Sequence, residues 1–110
     1  MDKNKFKGKR NGKWIYGSLV IDDRNNENRI AYFKNEYAYE VEVDPKTVGQ
    51  YIGRKDKNDN ELYVGDIVDD GINTGVIYYD KNKLQYRIRY SEGHTGEITL
   101  NDGEVNVEKK

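Results

Sequence analysis

Ser91-Glu92-Gly93-His94 sets a hydroxyl, a carboxyl and the chain's one imidazole within four residues. Acyl transfer would need those groups in line in space, beside donors for an oxyanion. A glycine-containing turn does not hold such a line, so the segment reads as a solvent loop with a surface His94, and no catalytic residue is assigned. Asp22-Asp23 and Asp69-Asp70 are adjacent carboxylates. Acid–base work needs one carboxyl desolvated and its neighbour ionised, whereas neighbours in a polar turn are both solvated. Asp56-Lys57-Asn58-Asp59-Asn60 begins like a calcium loop, with oxygen ligands at alternate positions. The EF-hand needs Gly at its sixth place and Glu at its twelfth; here Glu61 and Ile67 stand there. Asx-type turn chemistry explains the same residues with fewer demands. Gly49, Gly53 and Gly65 are too widely spaced for a phosphate cradle and no helix follows them. No metal and no cofactor is expected.

Binding chemistry is better supplied at the start of the chain. Asn11-Gly12 is a strong signal for a two-residue hairpin loop, because both central positions of a type I′ turn need positive φ. That loop places Arg10 opposite Lys13, Lys9 opposite Trp14 and Lys7 opposite Tyr16. One face then carries Phe6, Gly8, Ile15, Leu19 and Ile21, a natural core face. The other carries Lys5, Lys7, Lys9, Trp14, Tyr16 and Val20. Rings can stack bases and ammonium groups can track phosphates, and Arg54, Lys55 and Lys57 are candidates to extend this surface. The competing reading is that Trp14 and Tyr16 pack against a strand or a neighbouring subunit under lysine stems. That reading is preferred, and nucleic acid is kept as the alternative.

The elements that must position these residues are short strands. Tyr37-Ala38-Tyr39-Glu40-Val41-Glu42-Val43 alternates with period two, as a half-buried antiparallel strand does. Residues 29–33, 67–68, 75–79, 84–90, 97–100 and 105–107 are further candidates, separated by Asp70-Gly71, Asp80 to Lys83, Glu92-Gly93 and Asn101-Asp102-Gly103. Asp44-Pro45-Lys46-Thr47-Val48-Gly49 reads as one helical turn, with Asp44 as N-cap, Pro45 at the first position and Gly49 ending it. Val64-Gly65-Asp66-Ile67-Val68 reads as a barrel corner, with Asp66 accepting a backbone hydrogen bond. The fold class is therefore mostly β, a small SH3-like barrel or sandwich of short antiparallel strands with at most one or two helical turns.

The bulk numbers fit a single domain. The chain has 110 residues, with 35% apolar and 35% charged, and a mean hydropathy of −1.09. Such polarity leans toward disorder, but 10 Tyr, 2 Phe and 1 Trp argue for a core walled with tyrosine rings. There is no Cys, so no disulfide and no thiolate chemistry. No apolar run approaches the ~18 residues of a membrane span, and the basic start lacks the apolar stretch of a signal peptide. A reducing cytoplasm is the expected compartment. The net charge of −1 gives no global basic footprint.

The run from Val48 through Gly49, Gln50, Tyr51, Gly53 and Arg54 to Asn58, followed by Glu61 to Val68 with Gly65 and Asp66, resembles the signature of the YopX-like family. These are small proteins of bacteriophages and prophages of low-GC Gram-positive bacteria. Phe6 to Arg10 and Gly12 to Leu19 resemble that family's opening motif, and Asp44 to Thr47 the segment before its central signature. The family often has Gly where Asp59 stands. The resemblance implies a phage origin, a mostly β fold and a homo-oligomer. It implies no activity and no catalytic residues, because the family's molecular role is unassigned. A single domain over residues 1–110 follows, with hairpin and strands over about 5–43 and a signature segment and small barrel over about 48–108. The expected function is that of a non-enzymatic accessory protein working through contacts with a phage or host protein. Tyr37, Tyr39, Tyr78, Tyr79, Tyr86 and Tyr90 are the rings most available for such contacts.

Overall fold

The computed structural model describes residues 5–97 together with Asn106 and Val107. The expected strand over 97–100 is described at Glu97 alone; its remainder and the turn at Asn101-Asp102-Gly103 lie outside the described residues. All regular structure described is β: β1 (Phe6–Arg10), β2 (Lys13–Asp22), β3 (Glu27–Lys34), β4 (Tyr37–Lys55), β5 (Glu61–Tyr63), β6 (Ile67–Asp69), β7 (Thr74–Asp80), β8 (Gln85–Tyr90), β9 (Thr95–Glu97) and β10 (Asn106–Val107). Every pairing whose register is resolved is antiparallel. The mostly β fold class stands. The chain divides into two compact units that part between Tyr51 and Ile52, inside β4.

The first unit is a closed ring of four strands. Arg10 pairs with Lys13, Lys9 with Trp14 and Lys7 with Tyr16, the register that a two-residue loop demands. Asn11 (φ 51°) and Gly12 (φ 78°) take the two positive dihedrals. β2 then changes partner. Its first half, through Gly17, pairs with β1, and its second half, Ser18 to Asp22, pairs with β3. β4 does the same: Tyr37 to Val43 pair with β3, and Asp44, Gly49 and Gln50 pair with β1. β1 therefore has a partner on both edges and shuts the ring. In a two-residue hairpin the pair next to the turn is hydrogen-bonded and pairs alternate from there. Lys5, Lys7 and Lys9 accordingly turn their backbone groups toward β4. Tyr51 N–H donates to the Lys5 carbonyl at 2.8 Å, and Lys9 N–H donates to Thr47 Oγ1 at 2.7 Å.

A ring of four strands leaves little interior, and its buried hydrophobic residues are Ile30 and Val43. Two glycines make the close approaches. A Cβ on Gly8 would stand 2.7 Å from Val43 Cγ2, and a Cβ on Gly17 would collide with the Ala31 carbonyl oxygen. Gly17 is also where β2 leaves β1 for β3.

The segment from Asp44 to Gly49 corrects the helical-turn expectation: it is a bulged part of β4. A two-residue step of β1, from Lys7 to Lys9, faces the five-residue step from Asp44 to Gly49. Asp44 Oδ1 accepts Lys46 N–H at 3.0 Å, as an N-cap would. Thr47 Oγ1 donates to the Asp44 carbonyl at 2.7 Å and accepts from Lys9. The local signals for a helix start and for this bulge are the same. The β1 ladder across from it decides between them.

In the second unit the end of β4 pairs with β5, and β10-β6-β7-β8-β9 form one sheet. The core is Ile52, Leu62, Val68, Ile77 and Ile88, with Val64, Tyr86 and Tyr90 packed on it. Tyr63 is also fully enclosed. Gly65, at φ 93°, makes the corner. Asp66 is buried there and its Oδ2 accepts Tyr63 N–H at 2.8 Å, the backbone bond expected of it.

Gly17→Ala should destabilise the protein by about 3 kcal/mol, the upper end of overpacking effects, because the obstacle is backbone. Gly12→Ala meets open space but sits at φ +78°, and should cost only about 1 kcal/mol. Urea unfolding of both variants checks this order; equal losses would mean that the ring is not as tight as described.

Candidate functional site

Lys5, Lys7, Lys9, Trp14 and Tyr16 share one surface of the β1–β2 hairpin. Lys9–Trp14 and Lys7–Tyr16 are the non-hydrogen-bonded pairs, in which side chains lie closest. The outcome is a set of cations on rings. Lys7 Nζ lies 4.1 Å and Lys9 Nζ 4.9 Å from the Trp14 ring centroid. Lys5 Nζ lies 5.5 Å from the centre of Tyr51. Contacts of this kind contribute from about 0.5 kcal/mol when exposed to about 2 when desolvated. Lys7 is 7% exposed, so its stem is part of the wall, while Trp14 keeps 36% of its surface. Two ammonium groups therefore already hold the Trp14 ring that a base would stack on.

Tyr51 is the member of this cluster that sequence reasoning missed. It stood in the signature run, and only the β1–β4 pairing brings it beneath Lys5. Arg54 and Lys55 lie on the second unit's part of β4. Lys55 Nζ is 3.5 Å from Asp59 Oδ1, an exposed pair. Of the signature residues, Gly49 and Gln50 are ladder partners of Lys7 and Phe6, Tyr51 bonds Lys5, and Gly53 and Gly65 hold positive φ.

A second surface is the hairpin arm of β3 and β4 beyond the ring. Asn35 (φ 52°) and Glu36 (φ 72°) form its turn. No glycine marks that turn, so the sequence carries no local signal for the arm's tip. Tyr32 and Tyr39 stack at 5.3 Å with planes 16° apart. Phe33 is 81% and Tyr37 69% exposed at the tip. The row Val43, Val41, Tyr39 and Tyr37 continues the ring's inner face outward along the arm, beyond the pairing of β4 with β1.

The carboxylates are occupied as turn clamps. Asp22 Oδ1 accepts Arg24 and Asn25 N–H; Asp80 Oδ1 accepts Asn82 and Lys83 N–H. Asp56 Oδ1 accepts Asn58 and Asn60 N–H, and Asp59 holds φ 67°. That is Asx-turn geometry, with Asp59 at a position suited to glycine. Asp69 accepts Gly71 N–H. Asp70 accepts Asn73 and Ile72 N–H, and these bonds, Asn73's first, hold its pKa below the usual aspartate value. Arg29 is pushed upward, chiefly by its hydrogen bond to Glu27 and then by that residue's charge. His94 stacks on Tyr90 at 4.8 Å, with Nδ1 4.0 Å from Glu92 Oε2, in an exposed loop. Among the described residues no cluster of three His, Asp or Glu side chains is arranged to hold a metal, and no helix is long and apolar enough to cross a membrane.

The YopX protein family matches residues 5–109. The chain belongs to the YopX family. No curated protein and no solved structure matches it. The match spans both units of this YopX chain, so the basic hairpin, the aromatic arm and the Gly65-Asp66 corner all fall within it.

Asp70 should titrate below the ordinary aspartate range in a carboxyl NMR titration. Its folded pKa is depressed, so its contribution to stability is present above the unfolded pKa and is lost as pH falls through the folded value. Asp70→Ala should flatten that acid limb. A midpoint at or above the ordinary value would contradict the assignment.

Proposed function

We propose that this YopX protein is a non-enzymatic accessory protein of phage or prophage origin, acting in the cytoplasm of its bacterial host as an oligomeric protein-interaction module. The observation that carries the reading is the β3–β4 arm, which holds Phe33 and Tyr37 largely in solvent. Rings at an exposed position are what protein interfaces enrich. The arm is stiffened in advance by the Tyr32–Tyr39 stack, which lowers the cost of ordering it on binding. For the second unit we take a small SH3-like barrel as the architecture. Its Gly65-Asp66 corner and the β6-β7-β8-β9 meander support that reading.

A second reading is favoured by one observation, the file of Lys5, Lys7 and Lys9 along β1 beside Trp14 and Tyr16. Those ammonium groups suit phosphates, and the reading is of a weak, salt-sensitive nucleic-acid contact. It ranks second because Lys7 and Lys9 sit on the ring that would do the stacking.

Light scattering at micromolar concentration tests the first reading. The wild type should have the mass of a stable multimer, and Phe33→Ser with Tyr37→Ser should lower it while leaving the circular dichroism unchanged. A monomer at every concentration would contradict the oligomeric reading.

A further inference from the structure

The arm has an open strand edge with a definite pattern of hydrogen-bonding groups. Its two-residue turn makes Lys34–Tyr37 the first hydrogen-bonded pair. Alternation then gives Tyr32–Tyr39 and Ile30–Val41 the ladder bonds, and the backbone groups of Ala38, Glu40 and Glu42 point away from β3. The Glu42 carbonyl confirms the phase: it accepts a bond from Arg10 Nη1 at 3.1 Å. β1 takes over as partner only from Asp44. Among the described residues nothing pairs with the outward N–H and C=O of Ala38 and Glu40. Both residues are exposed. Such a row is a template for another strand.

The side chains along this edge specify what that strand would be. Tyr37, Tyr39 and Val41 lie on one face, and Ala38, Glu40 and Glu42 on the other. Tyr37 and Tyr39 are 69% and 44% exposed. Glu40 has only a 4.0 Å approach from Arg29 Nε, whose guanidinium is bonded to Glu27.

A second copy of β4 is a poorer match. Antiparallel pairing through the outward groups, with the twofold at Tyr39, brings each Glu42 level with Glu36 in the other copy's turn. With the twofold at Glu40 that residue meets itself, and at Val41 it meets Glu42. Directly opposed like charges destabilise a strand pair. An incoming strand with apolar residues opposite Tyr37, Tyr39 and Val41, and basic residues opposite Glu40 and Glu42, meets neither problem.

We propose that the β4 edge from Tyr37 to Val41 is a strand-addition site for an extended segment of another protein in which apolar and basic residues alternate. Backbone bonds to Ala38 and Glu40 anchor the segment, and the glutamates select its charge. The proposal rests on the reading of the arm as an interaction surface, but it does not require self-assembly.

The probe is an end-capped heptapeptide of alternating lysine and valine, titrated into the full-length protein and followed by amide NMR. An otherwise identical peptide of glutamate and valine is the control. The lysine peptide should shift and protect the Ala38 and Glu40 amides, and more weakly as salt rises. E40K/E42K should reverse the preference toward the glutamate peptide by at least tenfold. Absence of binding at millimolar peptide, equal binding of both peptides, or binding confined to the Lys5–Trp14 hairpin would overturn the proposal. Protection of Ala38 and Glu40 that grows with protein concentration alone would assign the edge to self-pairing. That result would overturn the proposal and leave the oligomeric reading standing. Light scattering on the same samples separates failure of that reading from failure of this one.

Discussion

The double pairing of β1 is the constraint on which the first unit depends. One five-residue strand serves as partner to β2 on one edge and β4 on the other. Because side chains alternate along it, Phe6 and Gly8 face the apolar side while Lys5, Lys7 and Lys9 all fall on the other. The closure thus makes the basic face as a by-product of making the ring. It also fixes where β2 and β4 must change partner, and those places are Gly17 and the bulge from Asp44 to Gly49. Past that bulge, toward the turn at Asn35-Glu36, no described strand closes the ring. The arm is what remains of β3 and β4 once β1 has stopped.

The polar composition finds its explanation in the same geometry. A ring with Ile30 and Val43 as its buried hydrophobics needs few apolar residues. Lysine stems supply wall material, as the buried Lys7 shows. The aspartates go into turns, where Asp22, Asp56, Asp70 and Asp80 each bind two backbone N–H groups. Part of the high charge content thereby serves backbone satisfaction in the turns.

Local signals with a single meaning were legible in the sequence. Asn11-Gly12 specified a turn, and the turn specified every pair of the first hairpin. Gly65-Asp66 specified a corner and a carboxylate that accepts a backbone bond. Asp56 to Asn60 declared an Asx turn. Signals with two meanings misled. Asp44-Pro45 opens a helix in isolation, but here the Lys9 N–H takes Thr47 and the ladder claims the segment. What could not be read was long-range. The β1–β4 closure brings Tyr51 under Lys5 across more than forty residues, with no local trace. The arm's turn uses Asn35 and Glu36 at positive φ without glycine, so its tip and its open edge were hidden although the Tyr37–Val43 alternation was plain. Arg54 and Lys55, grouped with the basic face by charge, fall on the other unit.

Amide hydrogen exchange along β4 tests the central claim, a ring closed by β1 with an arm left open beyond it. Protection should alternate: Tyr37, Tyr39 and Val41 slow, Ala38 and Glu40 close to the unprotected rate, and Gly49 and Tyr51 slow where β1 closes the ring. Uniform protection from Tyr37 to Val41 would mean that the edge is covered. Fast exchange at Tyr51 would mean that β1 does not close the ring, and the account of both surfaces would fall with it.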